Sequence, residues 1–257
     1  MKVSKILALA LAVIMALAMF TGCANTNTDV NLETLTMGTN AAFPPYEFVD
    51  DNNNIVGIDA EIAAAVAEKL GMKLEIKDMA FDSLITAVDQ GAVDIVLAGM
   101  TVTEERKESV NFTESYATGV QVVIVTEDSD IKSIDDLNGK KIGVQSGTTG
   151  DIYCSSSPED GGYGEEAVAR YDNGALAVTA LANKQVDCVV IDNEPAKEFV
   201  KANEGLKILE TEFAVEDYAA AIAKSNTELL EKVNTAIAKL KAEGKIDEII
   251  SKYIKAE

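Results

Sequence analysis

Val93-Asp94-Ile95-Val96-Leu97-Ala98-Gly99-Met100-Thr101-Val102-Thr103-Glu104-Glu105-Arg106 reads as strand, turn and helix start in direct succession. Val93–Ala98 is an apolar run of the kind that lies in a parallel sheet covered on both faces. Gly99 ends it without a side chain, so backbone there can approach a ligand closely. Thr103 is the predicted N-cap of a short helix, and Glu104 and Glu105 suit the positive end of its dipole. Thr101 adds a hydroxyl, and Arg106 a planar fork that matches a carboxylate bidentately. The plainer reading of Arg106 is an ion pair with Glu104 or Glu105 on a solvated face.

The same alternation extends in both directions. Upstream, Thr34–Gly38 reads as a strand and Tyr46–Val49 with Ile55–Ile58 as a hairpin. Asp59 is the predicted N-cap of a helix with Ile62, Val66 and Leu70 on its apolar face, closed by Gly71. Lys73–Lys77 is a strand and Phe81–Gln90 a short helix. Downstream, Val120–Val125 is another apolar strand, Ile131–Leu137 reads as helical, and Lys141–Val144 is a strand. It runs into Gln145-Ser146-Gly147-Thr148-Thr149-Gly150, whose small residues leave backbone N–H groups for an anion at a helix start. No Gly-Lys-Ser/Thr ending follows, so this is not a phosphate loop, and taken alone an ordinary Gly/Ser/Thr turn is the better reading. Ala175–Lys184 is a helix, and Asp187–Ile191 a strand ending at Asp192, which is either an N-cap or a ligand carboxylate. Leu206–Leu209 and Ala219–Ala223 are short strands. Ser225 with Glu228 reads as a capping box for a helix through Leu229, Val233, Ile237 and Leu240, and Ile246–Tyr253 is a last helix. Strands alternating with helices predict α/β layers with ligands at strand ends. An arginine fork, an anion loop and a strand-end carboxylate together describe a receptor for a zwitterion.

The N-terminal segment is an address. Lys2 and Lys5 precede the apolar run Ile6–Phe20, which is shorter than the ~20 residues of a membrane-spanning helix. Thr21-Gly22-Cys23 closes it and resembles a bacterial lipobox, although Phe20 stands where Leu is usual. Residues 1–22 are therefore read as a signal peptide. Cys23 is read as the lipidated first residue of the mature chain, and residues 23–32 as a polar tether.

The formal charge of −21 becomes −23 once the leader is removed. That excludes nucleic acid and anionic lipid surfaces as partners. The chain has no histidine, which removes the Ser-His-Asp triad and histidine-ligated zinc. No cofactor or metal is expected. Cys154 and Cys188 either pair or stay buried thiols.

In combination, Gly38-Thr39-Asn40-Ala41-Ala42-Phe43-Pro44-Pro45-Tyr46-Glu47-Phe48, Gly57-Ile58-Asp59, Gly99 through Arg106, Asn111-Phe112 and Gly147-Thr148-Thr149 resemble bacterial family-3 solute-binding proteins for polar amino acids, which serve ABC importers. The resemblance spans Thr34 to Ile254. It implies a two-lobed, type II periplasmic-binding α/β fold, each lobe a mostly parallel sheet flanked by helices, with a two-strand hinge. By the same resemblance, residues 33–120 are expected to form the first part of lobe one with hinge one, 121–213 lobe two, and 214–257 hinge two with the rest of lobe one.

It implies that Arg106 holds a ligand α-carboxylate, helped by Thr101 and by the backbone and hydroxyl of Thr148 or Thr149. Asp192 and the Gly99 carbonyl hold the α-ammonium, Phe43 and Phe81 flank the side chain, and Asn40 and Gln145 face its tip. Asn40 stands where binders of cationic amino acids often carry Asp, which favours a neutral polar ligand unless Glu47 substitutes. The implied protein is a non-enzymatic monomer, lipid-anchored outside the cytoplasm. It carries a free amino acid to ABC permease subunits. A sensory module, or a cyclohexadienyl-dehydratase-like enzyme on the same fold, are the alternatives.

Overall fold

The computed structural model describes residues 32–210 and 213–255. The signal peptide and Cys23 lie outside them, as does the tether except for Leu32. The first part of the chain gives β1 (Thr34–Thr39), β2 (Ala42–Phe43), β3 (Glu47–Val49), β4 (Ile55–Val56), α1 (Ile58–Leu70), β5 (Lys73–Asp78), α2 (Leu84–Asp89), β6 (Ile95–Val96), α3 (Glu104–Ser109) and β7 (Val110–Phe112). Then follow β8 (Ala117–Thr126), β9 (Ile142–Gln145), α4 (Thr149–Ser155), β10 (Val168–Tyr171), α5 (Gly174–Ala182), β11 (Cys188–Asp192), α6 (Asn193–Ala202) and β12 (Leu206–Ile208). The chain returns through β13 (Ala214–Tyr218), β14 (Ala221–Ala223), α7 (Thr227–Ala242) and α8 (Lys245–Tyr253).

Two sheets result. Lobe one orders its strands β5-β1-β6-β14-β7, and lobe two β10-β9-β11-β8-β12. Both are mixed. In lobe one β1 pairs parallel with β5 and β6, but β14 is antiparallel to β6 and β7. In lobe two β9 pairs parallel with β10 and β11, whereas β8 is antiparallel to β11 and β12. The antiparallel members are the strands that enter or leave the crossing between lobes. At that crossing β13 lies antiparallel along the first half of β8, from Ala214 beside Gln121 to Tyr218 beside Ala117. A small antiparallel sheet, β2-β3-β4, supplies one rim of lobe one.

Several local expectations are corrected. Gly57, not Asp59, is the N-cap of α1. Asp59 is fully buried and accepts from the Gly99 N–H at 2.7 Å and the Tyr116 hydroxyl at 2.8 Å, so tertiary partners take the carboxylate that a cap would have used. The capping box at Ser225 is replaced by Asn226, whose side chain accepts from the Leu229 N–H at 3.1 Å. The segment Ile131–Leu137 forms only a 3₁₀ turn over Ile134–Leu137, with a capping box at Ser133 and Asp136. Val93–Ala98 is buried except at Asp94, yet only Ile95–Val96 joins the ladder. The Asp94 carboxylate instead clasps the backbone and hydroxyl of Thr36.

Cys154 and Cys188 are buried free thiols in one apolar cluster under β8, β9 and β11. Burial pushes the Cys154 thiol up to about 12.

A candidate ligand cavity where three strand exits meet

The loop after β6 is set by a backbone that only glycine adopts easily. Gly99 has φ +52°, and a Cβ there would sit 3.0 Å from the Phe43 ring. Asp59 fixes the N–H of this residue, which orients the rest of the turn. Beyond it, the Thr103 hydroxyl accepts from the Arg106 N–H at 3.1 Å and starts α3. The Arg106 side chain turns inward and is 8 % exposed. It donates to the Thr101 carbonyl at 2.8 Å within its own lobe and to the Gly147 carbonyl at 3.0 Å in the other. Its guanidinium carbon lies 5.5 Å from the centre of the Phe81 ring, within range of a cation–π contact. The surface ion pair belongs to Lys107 and Glu104 instead, so the solvated-face reading of Arg106 is overturned.

The loop after β9 approaches from lobe two. Gly147 has φ +74° and packs so tightly on Asp82 that a Cβ would meet the Asp82 Cβ at 2.9 Å. Its N–H donates to Asp151 at 3.0 Å, and the Thr148 N–H to the Gln145 carbonyl at 3.3 Å. The Thr148 hydroxyl donates to the same carbonyl and accepts from the Asp151 N–H, which starts α4. Two N–H groups expected to be free for an anion are therefore engaged, a correction that follows from the loop bracing itself. Gln145 donates across the cleft to the Asn40 side chain at 2.9 Å, and Asn40 donates to the Met79 carbonyl.

Asp192 completes the arrangement. It occupies the N-cap position of α6 but makes no capping bond with its side chain. Its carboxylate turns to the crossing strands β8 and β13, where it accepts from the Gln121 amide at 2.7 Å and from the Tyr218 hydroxyl. Burial first, and then the charge of Glu216, hold it well above the usual carboxylate range. Burial lowers Arg106 to about 10, and the carboxylate of Glu216 is the strongest charge opposing that shift.

All ten residues singled out from sequence line a single narrow cavity between the lobes. Glu47 and Ala98 line it as well. Residues 35–256 match the model of bacterial extracellular solute-binding proteins, family 3. The chain belongs to this family.

The family-3 protein described here is 33% identical over 238 residues to the arginine-binding extracellular protein ArtP of Bacillus subtilis, covering 92% of each chain. A solved structure of an ancestral arginine-binding protein bound to arginine superposes with a TM-score of 0.80 at 43% identity, covering 86% of this chain and 98% of that one. A structure of an ancestral arginine-binding protein bound to glutamine gives 0.80 at 42% identity, covering 87% of this chain and 98% of that one. The fold is the two-lobed type II periplasmic-binding architecture. Among the described residues no helix is long and apolar enough to cross a membrane, and no cluster of three or more Cys, Asp or Glu is arranged to hold a metal.

Sequence reasoning missed the groups behind the wall of this family-3 site. Gln121, Glu216 and Tyr218 sit on the crossing strands and are buried. The signal was present in Ala214-Val215-Glu216-Asp217-Tyr218, where Glu216 and Tyr218 alternate onto one side of a strand. Glu47, considered above as a substitute acid, is fully buried. Burial, then the neighbouring Asp59, push its carboxyl well above the usual range.

Proposed function

We propose that this protein captures a cationic α-amino acid between its lobes and delivers it to the permease of an ABC importer, while Cys23 tethers it to the membrane. The carrying observation is the charge balance of the cavity. Among the described residues that line it, Arg106 is the only cation, facing Asp192 and Glu47 with Glu216 directly behind. A zwitterion matches Arg106 and Asp192, which come from opposite lobes. A ligand with a further positive charge also compensates Glu47, a buried acid that is otherwise costly to ionise. The amide of Asn40 is already engaged by Met79 and Gln145, so it gives no strong preference for a neutral tip. The arginine-binding relatives support the same reading.

In this reading the ten residues singled out from sequence, together with Glu47, are the ligand site. A single ligand touching both lobes has differential affinity for the closed state, which drives closure. Engagement of Asp192 by Gln121 and Tyr218 supports capture without turnover, in keeping with relatives that are binding proteins.

A thermal-shift panel of the amino acids tests the ligand, because one that binds only the native state raises its stability. L-Arginine should raise Tm most, ahead of L-lysine and L-glutamine. A shift with neutral amino acids alone would sink the cationic reading. Cys23→Ser should release the protein from the membrane fraction or leave it unprocessed, and a processed, membrane-bound variant would refute the anchor.

A further inference from the structure

Glu216 lies on β13 and is 4 % exposed. One of its oxygens accepts three hydrogen bonds: from the Thr101 hydroxyl at 2.9 Å, the Thr149 hydroxyl at 2.9 Å and the Gln121 amide at 3.1 Å. The other oxygen is buried without a hydrogen-bond partner. Thr101 belongs to lobe one and Thr149 to lobe two, so one carboxylate joins a threonine from each side. Gln121 donates to Asp192 as well, linking the two acids.

A threonine hydroxyl has one proton and two lone pairs. In both threonines the proton is committed to Glu216, which leaves lone pairs to face the cavity. Lone pairs accept hydrogen bonds; they hold an ammonium and repel a carboxylate. We propose that Glu216 is a positioning residue that fixes Thr101 and Thr149 as acceptors and so assigns this wall, with Asp192, to the ligand α-ammonium. The assignment rests on the amino-acid reading above and reverses the part first expected of the two hydroxyls, which was to help hold the carboxylate. That group is left to Arg106.

The test compares L-arginine with 5-guanidinopentanoic acid, which has the same side chain and carboxylate but no α-ammonium. Both are titrated calorimetrically into wild type and Glu216→Gln. The glutamine keeps the size of the side chain and can accept in place of the carboxylate, but removes its charge and adds a competing donor. L-Arginine should weaken about tenfold, in line with loss of a charge-assisted bond, while the des-amino acid stays within about threefold. Glu216→Asp should restore part of the difference. Equal weakening of both compounds would show a merely structural role and overturn the proposal, as would unchanged L-arginine affinity.

If Glu216→Gln does not fold, Thr101→Val and Thr149→Val carry the same test, since each removes an acceptor. Each should weaken L-arginine more than the des-amino acid, and the reverse order would refute the assignment. Should wild type bind L-glutamine and not L-arginine, the cationic reading fails alone. The Glu216 assignment is then judged by the same criteria with L-glutamine and 4-carbamoylbutanoic acid.

Discussion

The two loops that close on the cavity are built alike and used differently. Each holds a glycine at positive φ, Gly99 or Gly147, and a carboxylate secures the N–H of that glycine. Each then starts a short helix from a threonine that accepts the N–H three residues on, Thr103 with Arg106 and Thr148 with Asp151. The difference is where the carboxylate comes from. In lobe two it is Asp151, on the helix itself, and Arg170 braces it at 2.7 Å. In lobe one it is Asp59, brought from α1. Because lobe one borrows its acid, the third position of α3 is released for a cation, and Arg106 occupies it. An arginine there opposes the helix dipole, which Glu104 and Glu105 offset. One loop thus presents a cation to the cavity, while the other is braced by its own ion pair.

The sharpest break of this contrast is Arg106→Ala. Calorimetry should show a loss of ~2–5 kcal/mol, roughly 30-fold to a few thousand-fold in affinity, with Arg106→Lys recovering only part. Affinity within about threefold of wild type, well inside the ~1.4 kcal/mol of a tenfold change, would remove Arg106 from the site.

The borrowed acid should declare itself in pH dependence. Burial raises Asp59 to about 6 from an ordinary value of 3.8. Below the ordinary value both folded and unfolded chains hold the proton, and this group contributes no slope. Above it the unfolded chain ionises first, so the stability present at low pH is lost as pH rises through about 6, by on the order of 3 kcal/mol. Chemical denaturation across pH 4–7 should show the stability of wild type relative to Asp59→Asn falling, then levelling. A relative stability that stays flat or climbs would contradict the burial argument.

Arg170→Ala should act on the other side of the contrast. Asp151 would keep the Gly147 N–H but lose its cation, costing about 1–2 kcal/mol of stability with less than about tenfold change in ligand affinity. An affinity loss rivalling that of Arg106→Ala would erase the distinction between the loops. Smallest of all, Thr103→Ala and Thr148→Ala should each cost ~1 kcal/mol in melting experiments, as lost N-caps do. A clear inequality between them would show that the two starts are less alike than their geometry.

Strand exits were the legible part of the molecule. Glycine after an apolar run, threonine as cap and arginine three residues later are local signals, and they placed Gly99, Thr101 and Arg106 at the cavity. Asp192 was legible because it ends a buried strand. Asp59 was misread as a cap because its partners, Gly99 and Tyr116, are distant in sequence and come near only when lobe one folds. Glu216 was missed for a related reason, although its alternation with Tyr218 was there to be read. The strand carrying it is five residues long, and its meaning depends on Thr101 and Thr149 arriving from different lobes.

The strand order of lobe one also fixes when the site can exist. Lobe two takes its sheet from one continuous stretch, β8 to β12. In lobe one β14 lies between β6 and β7, with Ala221 beside Val96 and Ala223 beside Val110. The segment holding Arg106 runs from β6 to β7, so its far end has no sheet partner until the last quarter of the chain is present. Such distant pairings form slowly compared with local ones. As the chain emerges, lobe two can assemble from its own residues, whereas Arg106 is set in place last. A ligand that requires Arg106 therefore recognises only finished molecules, and binding serves as a readout of completed folding.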